Sequence, residues 1–482
     1  MSDLSKNKSY GSALVAIISV FFFWGFVAAS NGVLIPMFRK NFDLSQFQSQ
    51  LVDFAFYIAY FVGSLIYFIW SLALGDPLNK IGYKKGLIIG LFISALGALI
   101  FIPAVNSVSY SLFLTGLFVI GIGFALLQIV ANPFVINMGD PSKGASRLNL
   151  AGGINSFGTT IGPVILAYAL YGKITPGQDQ QIGIGNLKIP YVVLSVVLLA
   201  LALLIALVRM PVIRNEERIE KNVGAFQYPQ LTLGMLAIFI YVGVEVTIQS
   251  NLGALLKLPE IKGIDHTQVD KYISLYWGSL MIGRMSGALR TFNLSKMAYA
   301  IISLVLPFVV FGVVLSFSKL RGAEVQDLWF YLVWIVVFII VKYFGEEKPA
   351  KTLMLFGLAA MVMMMIGLST KGDVALFSFM SGGLFCSVMW PCIFNLAIAG
   401  LGRYTNQGSS LLVMMILGGA VIPPIQGAFA DNPSVGIHMS YFVPVICFAY
   451  LAWYGYAARG ILLKQGIDYD NPKDAAAKVI TE

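Results

Sequence analysis

Between residues 12 and 463 the chain is a succession of apolar runs, each close to the roughly twenty residues that an α-helix needs to cross the hydrocarbon of a bilayer. Such runs admit few folds. In lipid every backbone N–H and C=O must be satisfied internally, and a helix does this one segment at a time. Spans are expected near 12–37, 50–74, 84–104, 110–138, 147–171 and 190–210, and then near 231–256, 270–291, 297–317, 328–344, 350–369, 373–400, 406–429 and 436–463. The run at 328–344 is short, so a re-entrant segment is the alternative there. Only 11% of the residues are charged and 58% are hydrophobic, whereas a soluble domain holds about 25% charged residues. The expected fold class is an all-α membrane protein.

A polar, charged segment from Val212 to Gln227 interrupts the runs at the midpoint and reads as a linker. The expected domains are a first bundle at 1–211, a linker at 212–228, a second bundle at 229–465 and a tail at 466–482. A weak internal repeat supports two related halves: Phe157, Gly158, Gly162 and Pro163 recur in offset as Gly418, Gly419, Pro423 and Pro424. FFWGF at 22–26 likewise faces IYVGV at 240–244, and ANPF at 131–134 faces MWPC at 389–392. Two halves of the same direction suggest a two-bundle transporter with its site between them. The spans within about 297–344 find no counterpart in the first half and read as an inserted helical pair, giving two six-helix bundles plus two helices. The N-terminal lysines are followed by an apolar run too long for a signal-peptide core, so it reads as a retained span. Most of the 32 Lys and Arg, with Arg284, Arg290 and Lys296 counted among the loop cations, fall in alternate loops and both tails, which places both termini and the linker in the cytoplasm.

Other classes fit poorly. Cys386, Cys392 and Cys447 lie inside apolar runs and read as inert packing thiols, and His266 and His438 stand alone, so no zinc site is expected. No phosphate-binding glycine loop or nucleophile elbow is present, and the short loops hold no catalytic Asp/Glu pair or His motif, so neither an enzyme nor a cofactor is expected. The net charge of +9 suits loops facing an anionic leaflet rather than nucleic acid.

Polar groups inside the spans are the candidates for function. In the stretch from Leu126 to Gly158, Gln128 and Asn132 share a helix face ahead of Pro133, and after a short charged loop Gly152, Asn155, Ser156 and Thr159 form a second polar face. Two readings are open: helices looking onto a wet cavity, or amides joining helix to helix. Two acids fall within spans. Asp53 lies on a stripe with Tyr57, Tyr60 and Ser64, and Glu245 on one with Tyr241 and Gln249. An intramembrane carboxylate that switches between neutral, paired and charged states can couple an ion to a conformational change, although a solvated helix end (Asp53) or a neutral bonded acid (Glu245) is the plainer reading. Aromatic rings and amides supply the flat faces and fixed donors and acceptors that hold a sugar. Candidates are Trp24, Asn31, Tyr57, Gln128, Asn155, Gln249, Asn251, Trp277 and Trp390, with Asn395 and Gln426 weaker.

GDPLNKIGYKK at 75–85 resembles the loop signature of the major facilitator superfamily, with Asn79 where the acid is expected and Asp76 nearby. FFFWGF at 21–26, LVDFAFYIAYF at 51–61, RLNLA with INSFG at 147–158, YVGVEV at 241–246, MIGRMSG at 281–287, MWPCIFNLAIAGLG at 389–402 and NQGSSLLVMMILGGAVIPPIQG at 406–427 are similar to the fucose-galactose-glucose:proton symporter branch of that superfamily. The resemblance implies uptake of a monosaccharide by alternating access in a bacterial inner membrane. Fucose-type members carry acids where this chain has Gly32 and Gln128, and a glutamine where it has Gly152. Neither Gly32 nor Gln128 titrates, so the resemblance moves coupling to Glu245 or Asp53, which match acids of the glucose/galactose members. The expectation is a monomeric, cation-coupled hexose symporter, taking H+ or else Na+ held near Asp53, with the bilayer as its surroundings. A passive uniporter and a non-transporting sugar sensor are the alternatives.

Overall fold

The structure is a computed structural model that describes residues 11–171, 183–210, 224–264, 269–345 and 348–468. Most of the expected linker and tail, and His266, lie outside the described residues. Every regular element among those described is helical. In chain order we label them α1 (Gly11–Asn41), α2 (Gln46–Leu74), α3 (Tyr83–Asn106), α4 (Tyr110–Asn137), α5 (Gly144–Tyr171), α6 (Ile184–Leu207), α7 (Pro229–Leu256), α8 (Val269–Gly287), α9 (Lys296–Leu320), α10 (Gln326–Gly345), α11 (Pro349–Ser369), α12 (Gly372–Ile398), α13 (Gly402–Ala430) and α14 (Gly436–Lys464).

Thirteen of these are long and apolar enough to cross a membrane. Helix α8, expected as a span, falls short of that measure because Asp270, Lys271 and Arg284 lie within its 19 residues. Helix α10 reaches 20 residues and meets it, so length does not require a re-entrant segment there. Large apolar side chains such as Ile301, Val309, Val336 and Ile340 lie on the outer surface, as lipid-facing residues do.

Local chemistry explains where helices begin and turn. Ser45 starts α2 with a capping box: its hydroxyl accepts from Gln48 N–H and its own N–H donates to the Gln48 side chain. Arg147 closes α4 by donating from Nε to Val135 O and from Nη1 to Asp140 O, both at 2.9 Å, which satisfies carbonyls left over at a helix end. Gly75 and Gly82 adopt φ near +80°, a region L side chains avoid, so the 75–85 loop turns sharply at both glycines.

Helix pairings repeat between the halves. Helix α1 packs along α5 as α7 packs along α13, α3 lies against α4 and α6 as α11 lies against α12 and α14, and α2 meets α4 as α8 meets α12. Each half has a close crossing that needs a glycine: a Cβ at Gly158 would stand 2.3 Å from Phe22 O, and one at Gly418, one position before the Gly419 that the repeat aligns with Gly158, would stand 1.8 Å from Phe239 O. Helices α9 and α10 take no part in this correspondence. The first packs along α8 and the second along α11, and α10 is bonded to α8 by Lys271 Nζ to Asp327 Oδ1 at 2.9 Å and to α12 by Trp334 Nε1 to Ser378 Oγ at 3.3 Å.

The halves meet mostly at one end, where α6 finishes and α7 starts, here called the linker end. Asn406 Nδ2 donates to Asp76 Oδ2 at 2.6 Å, Tyr83 donates to Asn406 Oδ1 at 2.7 Å, Gln407 reaches Ser71 at 3.2 Å, and Ser409 donates to Ile129 O at 2.9 Å. Lys143 and Asn293 add a bond of 2.8 Å between exposed loops. The hydrogen bonds between described residues of the two halves run from mid-depth to this end.

Candidate functional site

Glu245 lies just past the middle of α7, with Tyr241 one turn before it on the same face. Arg284, from the last turn of α8, reaches both. Its Nη2 stands 3.1 Å from Glu245 Oε1 and 3.4 Å from the Tyr241 oxygen, while Tyr241 donates to Glu245 Oε1 at 3.0 Å. The other arm of the guanidinium crosses to the first half, where Nη1 donates to Ser156 Oγ on α5 at 2.8 Å. Its Nε lies 3.4 Å from Ser387 O. The two charged side chains are only 14% and 11% exposed, so the pair is desolvated and neither charge could be removed without stranding the other.

Arg284 was expected among the loop cations; the structure instead buries it in an ion pair at the junction of the halves. A guanidinium suits this place because its planar fork serves two acceptors at once. Gly152 lets it through: a Cβ there would stand 3.3 Å from Arg284 Cδ, so the departure from the fucose-type glutamine leaves space that the arginine uses.

Around this centre the expected site residues divide into three groups. Trp390 is half-buried with its ring 6.1 Å from that of Tyr241, and Tyr57, from α2, stands within electrostatic reach of both Glu245 and Asp53. Gln249 and Trp277 are half-buried, and no hydrogen bond occupies the Gln249 amide among the described residues. Asp53 is half-buried as well, and its carboxylate has no hydrogen bond or ion pair among the described residues.

A second group lies deeper, among α1, α2 and α4. Gln128 and Asn31 are each 1% exposed, and the Trp24 ring lies 6.4 Å from that of Tyr60. Both ends of the Asn31 and Asn132 amides, Gln128 Oε1 and the hydroxyls of Tyr60 and Ser64 are buried without a protein partner. An unpaired buried polar group costs about 1–3 kcal/mol, so a concentration of them marks groups that bond to water or to a polar solute.

The third group is bound up in helix contacts. Asn155 Nδ2 donates to Phe21 O at 2.9 Å and joins α5 to α1. Asn251 donates to Thr247 O at 3.2 Å and to Gln426 Oε1 at 3.1 Å, and Gln426 passes on to Ser440 at 3.1 Å. For Asn251 and Gln426 the helix-joining reading fits the geometry better than sugar contact. Asn395 is buried within α12, near Gly144 of α5.

Arg284 is the residue that reading the sequence missed. The available signal was a cation one position after Gly283 and two before Ser286, inside a span otherwise built of small and apolar residues.

The sequence matches the family model of the Major Facilitator Superfamily over residues 14–424. It is 34% identical over 457 residues to the glucose/galactose transporter of Brucella abortus, covering 94% of this chain and 96% of that one. It is 30% identical to the putative glucose/galactose transporter of Helicobacter pylori (93% and 97% covered), and 29% identical to the L-fucose-proton symporter of Escherichia coli (93% of each). The fold superposes with a TM-score of 0.72 on a crystal structure of the Major Facilitator Superfamily transporter FucP in the outward conformation, at 27% identity and over 94% of this chain and 99% of that one. Paired helix crossings, a polar centre between the halves and these matches agree: the chain belongs to the Major Facilitator Superfamily.

Proposed function

We propose that this protein is a secondary active transporter that takes up a hexose such as glucose or galactose by alternating access, with the movement of a cation coupled to it. The carrying observation is the mid-depth centre in which Glu245 and Arg284 of one half reach Ser156 of the other, beside the half-buried Trp390, Tyr57 and Gln249. A rocking motion of the two halves must break and remake that junction, so whatever changes its charge changes the conformational balance. Names given to the relatives support a monosaccharide as the solute, and the fucose relatives support a proton as the coupling ion. Glu245 is the leading coupling acid. Sodium near Asp53 is the second reading, favoured by a carboxylate that has no described protein partner.

The bonded linker end is assigned to the cytoplasm, following the positive loops, and the likeness to an outward structure supports opening to the other side. A bacterial inner membrane fits these features. The two-bundle division at 1–211 and 229–465, with α9 and α10 inserted, belongs to the same reading.

Counterflow of labelled glucose and galactose in proteoliposomes tests the function. Transport predicts transient accumulation of label against unlabelled sugar inside the vesicle; a sensor predicts binding with no accumulation, and that result would remove the transporter reading.

A further inference from the structure

We infer that Arg284 is a positioning residue that couples the charge on Glu245 to closure of the linker end, acting through its bond to Ser156; this rests on the transport reading above. The geometry is a three-part bridge: carboxylate on α7, guanidinium on α8 and hydroxyl on α5, with separations of 3.1 and 2.8 Å. Just below Arg284 towards the linker end the two halves press together, since a Cβ at Gly153 would stand 2.6 Å from Met285 Sδ and one at Gly287 would stand 2.7 Å from Asn149 Nδ2. Whatever moves Arg284 therefore moves a tight crossing of α8 over α5.

With Glu245 ionised, the guanidinium has its counter-charge and its second arm rests on Ser156. When Glu245 takes a proton, Arg284 becomes a buried cation without a counter-anion, a state that is strongly disfavoured. Relief comes from swinging towards water or solute, which gives up Ser156 and loosens the crossing. Tyr241 on α7, Tyr276 on α8, Cys386 on α12 and Tyr57 on α2 are the titratable groups close to Glu245, and Arg284 is the charge that opposes it. Helix α7, α8 and α12 residues of its own half and Tyr57 of the other thus face the acid, and of those from its own half Arg284 is the one with a described bond to the opposite half.

The test measures two quantities in proteoliposomes for wild type, Arg284→Gln and Ser156→Ala: counterflow without a gradient, and accumulation driven by an imposed proton or sodium gradient. Arg284→Gln should lower proton-driven accumulation about tenfold, equivalent to 1.4 kcal/mol, relative to the counterflow that the same variant retains. Ser156→Ala keeps the ion pair and should lower accumulation, relative to its own counterflow, by a smaller factor, about two- to fivefold for one hydrogen bond. The inference is overturned if Arg284→Gln accumulates like wild type, or if it loses both activities together while Ser156→Ala matches wild type, or if only sodium drives the wild type. Wild type without counterflow would instead remove the transport reading itself.

Discussion

Two carboxylates stand away from the ends of the described membrane-length helices, and their surroundings are opposite. Glu245 is met by an arginine and a tyrosine and is linked through that arginine to the other half of the molecule. Asp53 lies nearer its helix start, half-buried, with no described protein partner. The difference teaches that burial alone does not define a coupling group. For an acid to transmit a proton something structural has to depend on its charge, and of these two Glu245 is the one whose described partner also bonds to the other half.

That contrast can be broken most directly by neutralising each acid. Glu245→Gln leaves Arg284 buried without a counter-charge and should destabilise the protein by about 3–5 kcal/mol in thermal or denaturant melting. Asp53→Asn removes a lone charge and should leave stability unchanged or slightly higher. Equal losses in both variants would erase the distinction. Trp390→Ala sharpens the comparison from the solute side: the ring beside Tyr241 should hold a sugar face, and its loss should raise the half-saturation concentration for hexose about tenfold, or 1.4 kcal/mol. An unchanged value would place the sugar elsewhere.

Two neighbouring amides on α7 extend the same logic with smaller effects. Asn251→Ala should lower stability by about 1 kcal/mol through the lost bond to Gln426, with hexose affinity unchanged. Gln249→Ala should do the reverse, weakening affinity and leaving the melting curve in place. The smallest effect concerns Asp76, in the loop outside the spans. Burial raises its carboxyl above the usual value, against the bonds from Tyr67, Asn406 and Leu78 N–H that favour the anion. A raised folded value means that the folded state holds the proton more tightly than the unfolded chain, so stability falls as pH rises through it. Asp76→Asn retains the helix cap and should flatten the melting profile as pH rises above the ordinary carboxyl value of about 4.

The fold was largely legible because lipid imposes its own ruler: apolar length placed the helices, α8 being the one that falls short of it, and the repeat around Gly158 and Gly419 pointed to the matching helix pairs. The signature loop was legible too, although which acid served it was not. Asp76 caps the short helix Pro77–Ile81 and meets Asn406 of the other half, which only three-dimensional placement shows. The site was legible in residue type but not in partnership. Asn251 and Gln249 lie two residues apart and have the same chemistry, yet one is consumed by helix packing. Arg284 was hidden because a cation near a helix end looks like any loop cation until its partner, some forty residues earlier in the chain at Glu245, is folded against it.

The central claim is that the halves must separate at the linker end for solute to pass. Lys143 and Asn293 face each other there at 2.8 Å on exposed loops, and Cys386, Cys392 and Cys447 are buried, so cysteines placed at 143 and 293 can be bridged selectively by a short reducible thiol cross-linker. Hexose counterflow is then measured before bridging, after it and after reduction. The account predicts that bridging abolishes counterflow and that reduction restores it; undiminished counterflow in the fully bridged protein would contradict it.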